Sequence, residues 1–296
     1  MPDTQLPFTV EDMTHDAPHQ HDHTDESGLA ELLDLDAAIF HSYIDDVIAW
    51  AERIAGKPPR RVVDVGAGTG AVSLALARRF PAAEVLAIDS SAFMLDRLQA
   101  SAQETGLAPR LHGVQADLDV AWPDVGAIDL AWAASSMHHL ADPDRVLDAM
   151  HAALHPGGVV VIIEMDALPR FLPEDIGRTG LEARCREAMV QAGWNAHPDW
   201  RPHLDLAGFV GLEQRNFPLE IVAPADAEHY ARLLLSRFRE GLADRLADDD
   251  LGALDRLLAD DSPDAFLRGT LTFRSTRTAW AGRRAPGQDR NKGASR

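Results

Sequence analysis

The chain has 296 residues, 46% hydrophobic and 25% charged, which is typical of one large globular domain or of one domain with an added subdomain. Its formal net charge of −19 argues against a nucleic-acid partner, because a phosphate backbone would be repelled. Cys185 is the only cysteine, no apolar run is long enough to cross a membrane, and the N-terminus does not resemble a signal peptide. We therefore expect a cytoplasmic protein that has no membrane partner and acts on a small molecule.

Residues 1–27 are polar, acidic and rich in histidine, which predicts a disordered tail. A metal site on His15, His19, His21 and His23 is the alternative interpretation. Their spacing matches no regular ligand pattern on a helix or hairpin, so we expect no bound metal. The next segment differs sharply, because apolar residues recur every three or four positions from 29 to 55 and predict a helix.

Strands and helices alternate from residue 61 onward. Each predicted strand is short and apolar and precedes a helical pattern, and the five strands are 61–65, 84–89, 110–117, 127–135 and 159–166. Alternation at intervals of roughly 25–30 residues predicts an α/β fold, with a doubly wound, mostly parallel sheet covered by helices on both faces.

The pattern changes after residue 166. Residues 169–206 are predicted to be helices and loops, and 212–221 and 269–282 to be strands. Residues 225–260 are helical, with a predicted break at the DDDLG sequence of 248–252. The basic end, 283–296, is predicted to be a disordered tail.

The sequence VVDVGAGTG at 62–70 gives up side chains at three alternate positions directly after a buried strand. Glycines in such a turn let the backbone approach a bound molecule. Asp89 ends the next strand, where a carboxylate can accept hydrogen bonds from ribose hydroxyls. Nicotinamide enzymes and S-adenosylmethionine (SAM) enzymes share both features.

Three further features favour SAM. Asp64 lies two residues before the first glycine, where it would repel a pyrophosphate but could hold an ammonium. Asp117 ends the third strand beside Leu118, where it can accept from an adenine amino group. The Tyr-x-x-x-Lys motif of short-chain dehydrogenases is missing, since neither Tyr43 nor Tyr230 is followed by lysine four positions later. An NAD(P)-dependent oxidoreductase is thus the disfavoured alternative.

The stretches VVDVGAGTG, AIDSSAFML, VQADL, IDLAWAASSMHHLADPDRVL and LHPGGVVVIIEMD follow one another in the order and spacing of the class I SAM-dependent methyltransferases. The chain resembles that family firmly over residues 40–166. The resemblance implies a Rossmann-like methyltransferase fold with a seven-stranded sheet, SAM as cofactor and a small-molecule methyl acceptor. It divides the methyltransferase domain, 28–282, into a helical lid (28–60), a SAM-binding core (61–166), an acceptor-binding insertion (167–211) and C-terminal strands and helices (212–282).

The resemblance also assigns cofactor-binding residues. These are Asp64, Gly66, Gly68, Gly70, Asp89, Ser90, Met94, Asp117, Leu118, Ala133 and Ala134. The glycines would pack against the amino-acid part of SAM, Asp89 would bind the ribose, and Asp117 with Leu118 would hold the adenine. Asp64 has a second interpretation, as a carboxylate that only stabilises the turn, and Met94 has one as a core residue.

Methyl transfer needs a base only when the acceptor must lose a proton. His138 and His139, just after the fourth strand, are the candidate bases, and Glu164 at the end of the fifth strand is a second candidate catalytic residue. Asp166 shares that strand end. Acceptor contacts are predicted from the lid helix and the insertion, at His41, Tyr43, Arg170, Trp194, Trp200 and Arg201. Arginines there could bind an acceptor carboxylate or phosphate, whereas the two tryptophans could be a packing cluster.

The leading interpretation is SAM-dependent methyl transfer to a small molecule. The divergent acceptor region and the composition favour secondary metabolism, and the sequence does not separate O-, N- and C-methylation. A protein that binds SAM without catalysis, as a scaffold or regulator, is an alternative of another class. A homodimer is left open.

Overall fold

The computed structural model describes residues 23–174, 178–222, 225–259 and 271–286. Seven strands form one sheet in the order β3-β2-β1-β4-β5-β7-β6, with β7 antiparallel to both of its neighbours. The strands are β1 (Arg61–Val65), β2 (Glu84–Asp89), β3 (Leu111–Gln115), β4 (Ile128–Ala134), β5 (Leu154–Arg170), β6 (Phe209–Val222) and β7 (Thr272–Arg284). The predicted doubly wound, mostly parallel seven-stranded sheet is confirmed.

Helices cover both faces of this sheet. They are α1 (His23–Ala55), α2 (Ala71–Arg79), α3 (Ala92–Glu104), α4 (Pro143–Ala153), α5 (Leu181–Gln191), α6 (Trp200–Leu206), α7 (Ala227–Gly241) and α8 (Asp248–Leu258). The central strands are mostly apolar because each buries both faces, one against α1, α2, α3 and α7 and the other against α4 and α6. None of the described helices has the length and apolar character needed to span a bilayer.

Three long strands extend one half of the sheet beyond its carboxyl edge. Strand β4 ends at Ala134, which pairs with Ile163 of β5. Strand β5 continues to Arg170, four residues past the predicted end, because β7 and β6 continue the ladder beside it. Residues 164–170 therefore form, with their partners on β7 and β6, a wall beside the cleft at the strand ends.

A buried ion pair holds α1 on the sheet. The Arg277 side chain is 1% exposed, and its Nη2 donates to both carboxylate oxygens of Asp36 at 3.2 Å. The Tyr230 hydroxyl donates to Asp36 Oδ1 at 2.6 Å, and the guanidinium lies over the rings of Phe40 and Tyr43. Burial raises the pKa of Tyr43. Tyr43, which the sequence predicted to contact the acceptor, thus packs in this cluster. No sequence pattern had indicated the Asp36–Arg277 ion pair.

Several boundaries differ from those predicted. Helix α1 begins at His23, so the last residues of the predicted tail are helical, while His15, His19 and His21 lie outside the described residues. The helical stretch of 225–260 is broken as predicted, but at 242–247 rather than at 248–252. The acidic residues of 248–250 instead begin α8, where carboxylates are favoured beside unpaired amide groups. Strand β7 extends to 284, and most of the predicted C-terminal tail, 287–296, lies outside the described residues.

Candidate active site

The turn between β1 and α2 requires glycine because of its backbone angles and its close packing. Gly66, Gly68 and Gly70 have positive φ angles of 67°, 53° and 86°. A Cβ on Gly66 would lie 2.3 Å from Cβ of Ser136, and one on Gly70 would lie 2.4 Å from Cγ of Leu98. A Cβ on Gly68 would lie 3.4 Å from a side-chain carbon of α1, which is an ordinary contact. The turn thus packs tightly at Gly66 and Gly70 and less tightly at Gly68.

Asp89 shapes this turn from the end of β2. Its Oδ2 accepts from the amide of Gly68 at 2.8 Å, and its Oδ1 accepts from the amide of Ser91 at 2.9 Å. Each carboxylate oxygen has a further lone pair available. The geometry therefore fixes the carboxylate beside the turn and is compatible with the ribose contact, which stays a prediction.

Asp64 links β1 to α2 inside the protein. Its side chain is buried, and Oδ2 accepts from the Ser73 hydroxyl at 2.6 Å. Burial raises the pKa of Asp64 to about 7, the Ser73 hydrogen bond opposes the rise, and the charge of Asp89 adds to it. These contacts support the interpretation of Asp64 as a carboxylate that stabilises the turn, and contact with a cofactor ammonium stays a prediction.

Replacing Asp64 by asparagine should remove a pH dependence of stability. The folded protein keeps the Asp64 proton up to about pH 7, whereas the unfolded chain loses it near the ordinary value of 3.8. Ionisation therefore costs stability as pH rises between these values, by up to about 4 kcal/mol. Asparagine keeps an oxygen for Ser73 without this cost. The free energy of unfolding is measured in urea for Asp64→Asn and for the wild type. The difference, variant minus wild type, should rise from about pH 4 to pH 7 and then stay constant. A difference that stays constant with pH would contradict the placement.

The other predicted cofactor residues on β2 and β3 lie at the same edge. Ser90 and Asp117 are exposed just beyond the carboxyl ends of these strands, and Leu118 is buried. Asp117 Oδ1 accepts from the amide of Asp119 at 2.9 Å and so holds its own turn. Their positions are compatible with adenosine contacts, which stay predictions.

The remaining three predicted cofactor residues are less exposed to solvent. Met94, in the first turn of α3, is 4% exposed, and Ala133 at the end of β4 is fully buried. Ala134 is half-buried. Burial of Met94 supports its alternative interpretation as a core residue.

A hydrogen-bonded chain of three side chains lies beside the glycine turn. A short 3₁₀ turn, Met137–His139, follows β4. Nδ1 of His138 lies 2.7 Å from Oε2 of the fully buried Glu164, and Nε1 of the fully buried Trp200 donates to the other oxygen, Oε1, at 3.2 Å. Trp200 is therefore a support for Glu164, which the sequence did not indicate when it placed Trp200 among the acceptor contacts.

The other ring nitrogen of His138 has no partner. The side chain is 9% exposed, and Nε2 is buried without a hydrogen bond in the described part of the chain. A carboxylate only accepts, so the proton must sit on Nδ1, and in the neutral ring Nε2 carries a free lone pair. Buried polar atoms are rarely left unpaired in proteins, so this one indicates a group that binds there.

His139 differs from its neighbour. It is exposed, its ring centroid lies 4.0 Å from that of His138, and within the described ranges no carboxylate is hydrogen-bonded to it. Partial burial and the neighbouring His138 lower its pKa. Of the two candidate bases, His138 therefore has the geometry of a base held in one orientation.

The predicted acceptor residues do not form one group. His41 and Arg201 are exposed and donate to the carbonyl oxygens of Ala38 and Leu212. Trp194 packs against α7, with Arg237 over its ring. Their roles in acceptor binding stay predictions, and these positions favour packing or surface roles.

Arg170 lies elsewhere, in a cavity of about 630 Å³ on the wall formed by β5, β7 and β6. The cavity begins at Asp166, two residues beyond Glu164 on the same strand. Glu164, His138 and this cavity thus lie on the β4–β5 side of the cleft. The glycine turn after β1 lies on the other side.

Comparisons with known proteins identify the domain. Residues 62–158 match the family model described as a methyltransferase domain. A demethylmenaquinone methyltransferase from Thermus thermophilus is 35% identical over 114 residues, 38% of this chain and 51% of that protein. A trans-aconitate 2-methyltransferase from Variovorax paradoxus is 33% identical over 135 residues, 44% of this chain and 50% of that protein. The chain spans about half the length of these curated relatives.

The fold agrees with that match. The solved structure of an O-methyltransferase family protein from Burkholderia thailandensis has a TM-score of 0.52 at 14% identity, covering 90% of this chain and 62% of that one. The match and the strand order identify residues 62–158 as part of a SAM-dependent methyltransferase domain with the class I fold, and SAM is the cofactor of that domain family. The predicted family and cofactor are confirmed, and the oxidoreductase alternative finds no support.

Proposed function

We propose that this protein transfers the methyl group of SAM to a protic oxygen or nitrogen of a small molecule. The observation that carries the proposal is the position of His138. The Ser136 hydroxyl donates to the carbonyl of Val65 at 2.6 Å and packs against Gly66, so the 3₁₀ turn of His138 is fastened to the glycine turn.

The residues at the turn fit the cofactor. Glycine at position 68 keeps the turn free of a side chain where the amino-acid part of SAM would lie, and the carboxylate of Asp89, held by the amide of Gly68, would accept from ribose hydroxyls. Helix α1 lies over the turn through Leu33 and would exclude water. When bound, SAM supplies an activated methyl group, so the protein mainly aligns and shields the acceptor.

His138 would remove the acceptor's proton. Glu164 holds Nδ1–H, stabilises the positive charge that forms on the ring, and leaves the Nε2 lone pair to receive the proton. This role favours a hydroxyl or amine over an acceptor that is already ionised. The two relatives act, by their names, on demethylmenaquinone and trans-aconitate, which supports a small-molecule acceptor. Secondary metabolism, a cytoplasmic location and a homodimer stay predictions from the sequence.

Labelled SAM tests this function. Incubation of the protein with methyl-labelled SAM and sets of phenols, hydroxy acids and amines should label at least one class, and boiled protein should label none. Label on a carbon acceptor alone would contradict a protic oxygen or nitrogen as the acceptor atom. No transfer to any class when SAM binds would favour the non-catalytic binding protein.

Asp89→Ala should weaken SAM binding by about 2–3 kcal/mol, since a carboxylate that accepts from two hydroxyls is lost. Asp89→Asn is the matched control, because it keeps one oxygen for the amide of Gly68 and should lose less. Calorimetry measures both. A loss under about 0.5 kcal/mol in a folded Asp89→Ala protein would show that Asp89 is not a ribose ligand.

A further inference from the structure

We propose that the cavity on the β5–β7–β6 wall binds an oxyanion of the methyl acceptor, a carboxylate or a phosphate, between Arg170 and Arg186. The inference rests on the proposed function in identifying the ligand as the acceptor. The cavity itself is defined by the geometry of the wall and by the charges that line it.

The acids of this cavity already have partners. Glu220 pairs with Arg274, with Oε2 at 3.1 Å from Nε. Asp166 Oδ1 accepts from the Thr278 hydroxyl at 2.8 Å. Glu220 is thus paired with an arginine of the cavity, and Asp166 is held by the Thr278 hydroxyl at the end nearer to Glu164.

The two remaining arginines have no such partner. Nη1 of Arg186 donates to the carbonyl of Leu168 at 2.8 Å, which fixes the guanidinium against β5. Within the described ranges, neither Arg170 nor Arg186 forms an ion pair with a carboxylate. Arginine presents several donors in a planar fork that matches a carboxylate or a phosphate.

The two cations also disfavour each other. Burial and the charge of Arg170 lower the pKa of Arg186, and Glu182 compensates only in part. Oε1 of Glu182 accepts from the amides of Phe171 and Leu172 at 2.8 and 3.2 Å. An anion between the guanidinium groups would relieve their repulsion. In a chain of net charge −19, a cavity lined by two arginines that form no ion pair with a carboxylate of the described residues is a local exception.

The position of this site constrains the shape of the acceptor. Arg170 is six residues beyond Glu164 on β5, a separation of roughly 20 Å for a fully extended strand. Arginine side chains span part of that distance. The acceptor should therefore be elongated, with its oxyanion on the order of 10 Å from the atom that is methylated.

Calorimetry at low salt, with S-adenosylhomocysteine present, tests the site. Succinate and inorganic phosphate are the two anion probes, and succinamide is the neutral control. We expect one or both anions to bind and succinamide not to bind. Binding of succinate alone assigns a carboxylate, and binding of phosphate alone assigns a phosphate. The double variant Arg170→Gln/Arg186→Gln should weaken anion binding at least about tenfold, or about 1.4 kcal/mol. The matched control Arg78→Gln, an exposed arginine on α2, should not weaken it.

Other results overturn the inference. These are no binding of either anion to the wild type, equal binding of succinamide, or unchanged anion binding in the double variant. S-adenosylhomocysteine affinity is measured on the same samples and should stay within about threefold. Anion binding without S-adenosylhomocysteine binding would contradict the proposed function but not the anion site. S-adenosylhomocysteine binding without anion binding would contradict only the anion site.

Discussion

His138→Gln should lower the rate constant for methyl transfer about 100- to 10,000-fold, because this is the range that a positioned general base contributes. Glutamine can still donate to Glu164 but offers no basic nitrogen at the Nε2 position. SAM affinity should stay within about threefold, since His138 is not among the residues assigned to the cofactor. Single-turnover kinetics with labelled SAM measure both quantities.

A matched variant separates a base from a packing residue. His139→Gln should have a much smaller effect, because His139 is exposed and no carboxylate of the described residues is hydrogen-bonded to it. Equal effects of the two substitutions would contradict the role of His138.

Asp36→Ala should destabilise the fold by about 3–5 kcal/mol, because it leaves the guanidinium of Arg277 buried without a counter-charge. The exposed pair Arg274–Glu220 is the matched control, since Glu220→Ala should cost at most about 1 kcal/mol. Urea unfolding monitored by circular dichroism gives both values.

Replacing both members of the buried pair distinguishes charge from packing. Asp36→Leu combined with Arg277→Met should recover much of the lost stability, because apolar residues of similar size avoid the unpaired charge. Equal costs for Asp36→Ala and Glu220→Ala would show that the pair does not anchor α1.

The sheet and the turn could be predicted because their signals are local. The apolar run before Gly66 and the acid at Asp89 mark two strand ends, and parallel strands bring such ends together at one edge. His138 and Glu164 were selected for the same reason, each being just after or at the end of a neighbouring strand.

The rest depends on contacts between distant segments. Arg277 and Asp36 are 241 positions apart, and neither lies in a pattern that predicts burial of a charge. Trp200 joins Glu164 across 36 positions. The length of β5 is set by its partners on β7 and β6, so the sequence of β5 alone did not reveal the wall or its cavity.

Calorimetric titration of the wild type with S-adenosylhomocysteine and with NADH tests the central claim most directly. The glycine turn, the oriented carboxylate of Asp89 and the family match predict S-adenosylhomocysteine binding in the micromolar range, about −8 kcal/mol, and no binding of NADH. Tighter binding of NADH than of S-adenosylhomocysteine would contradict the assignment of this cleft to SAM.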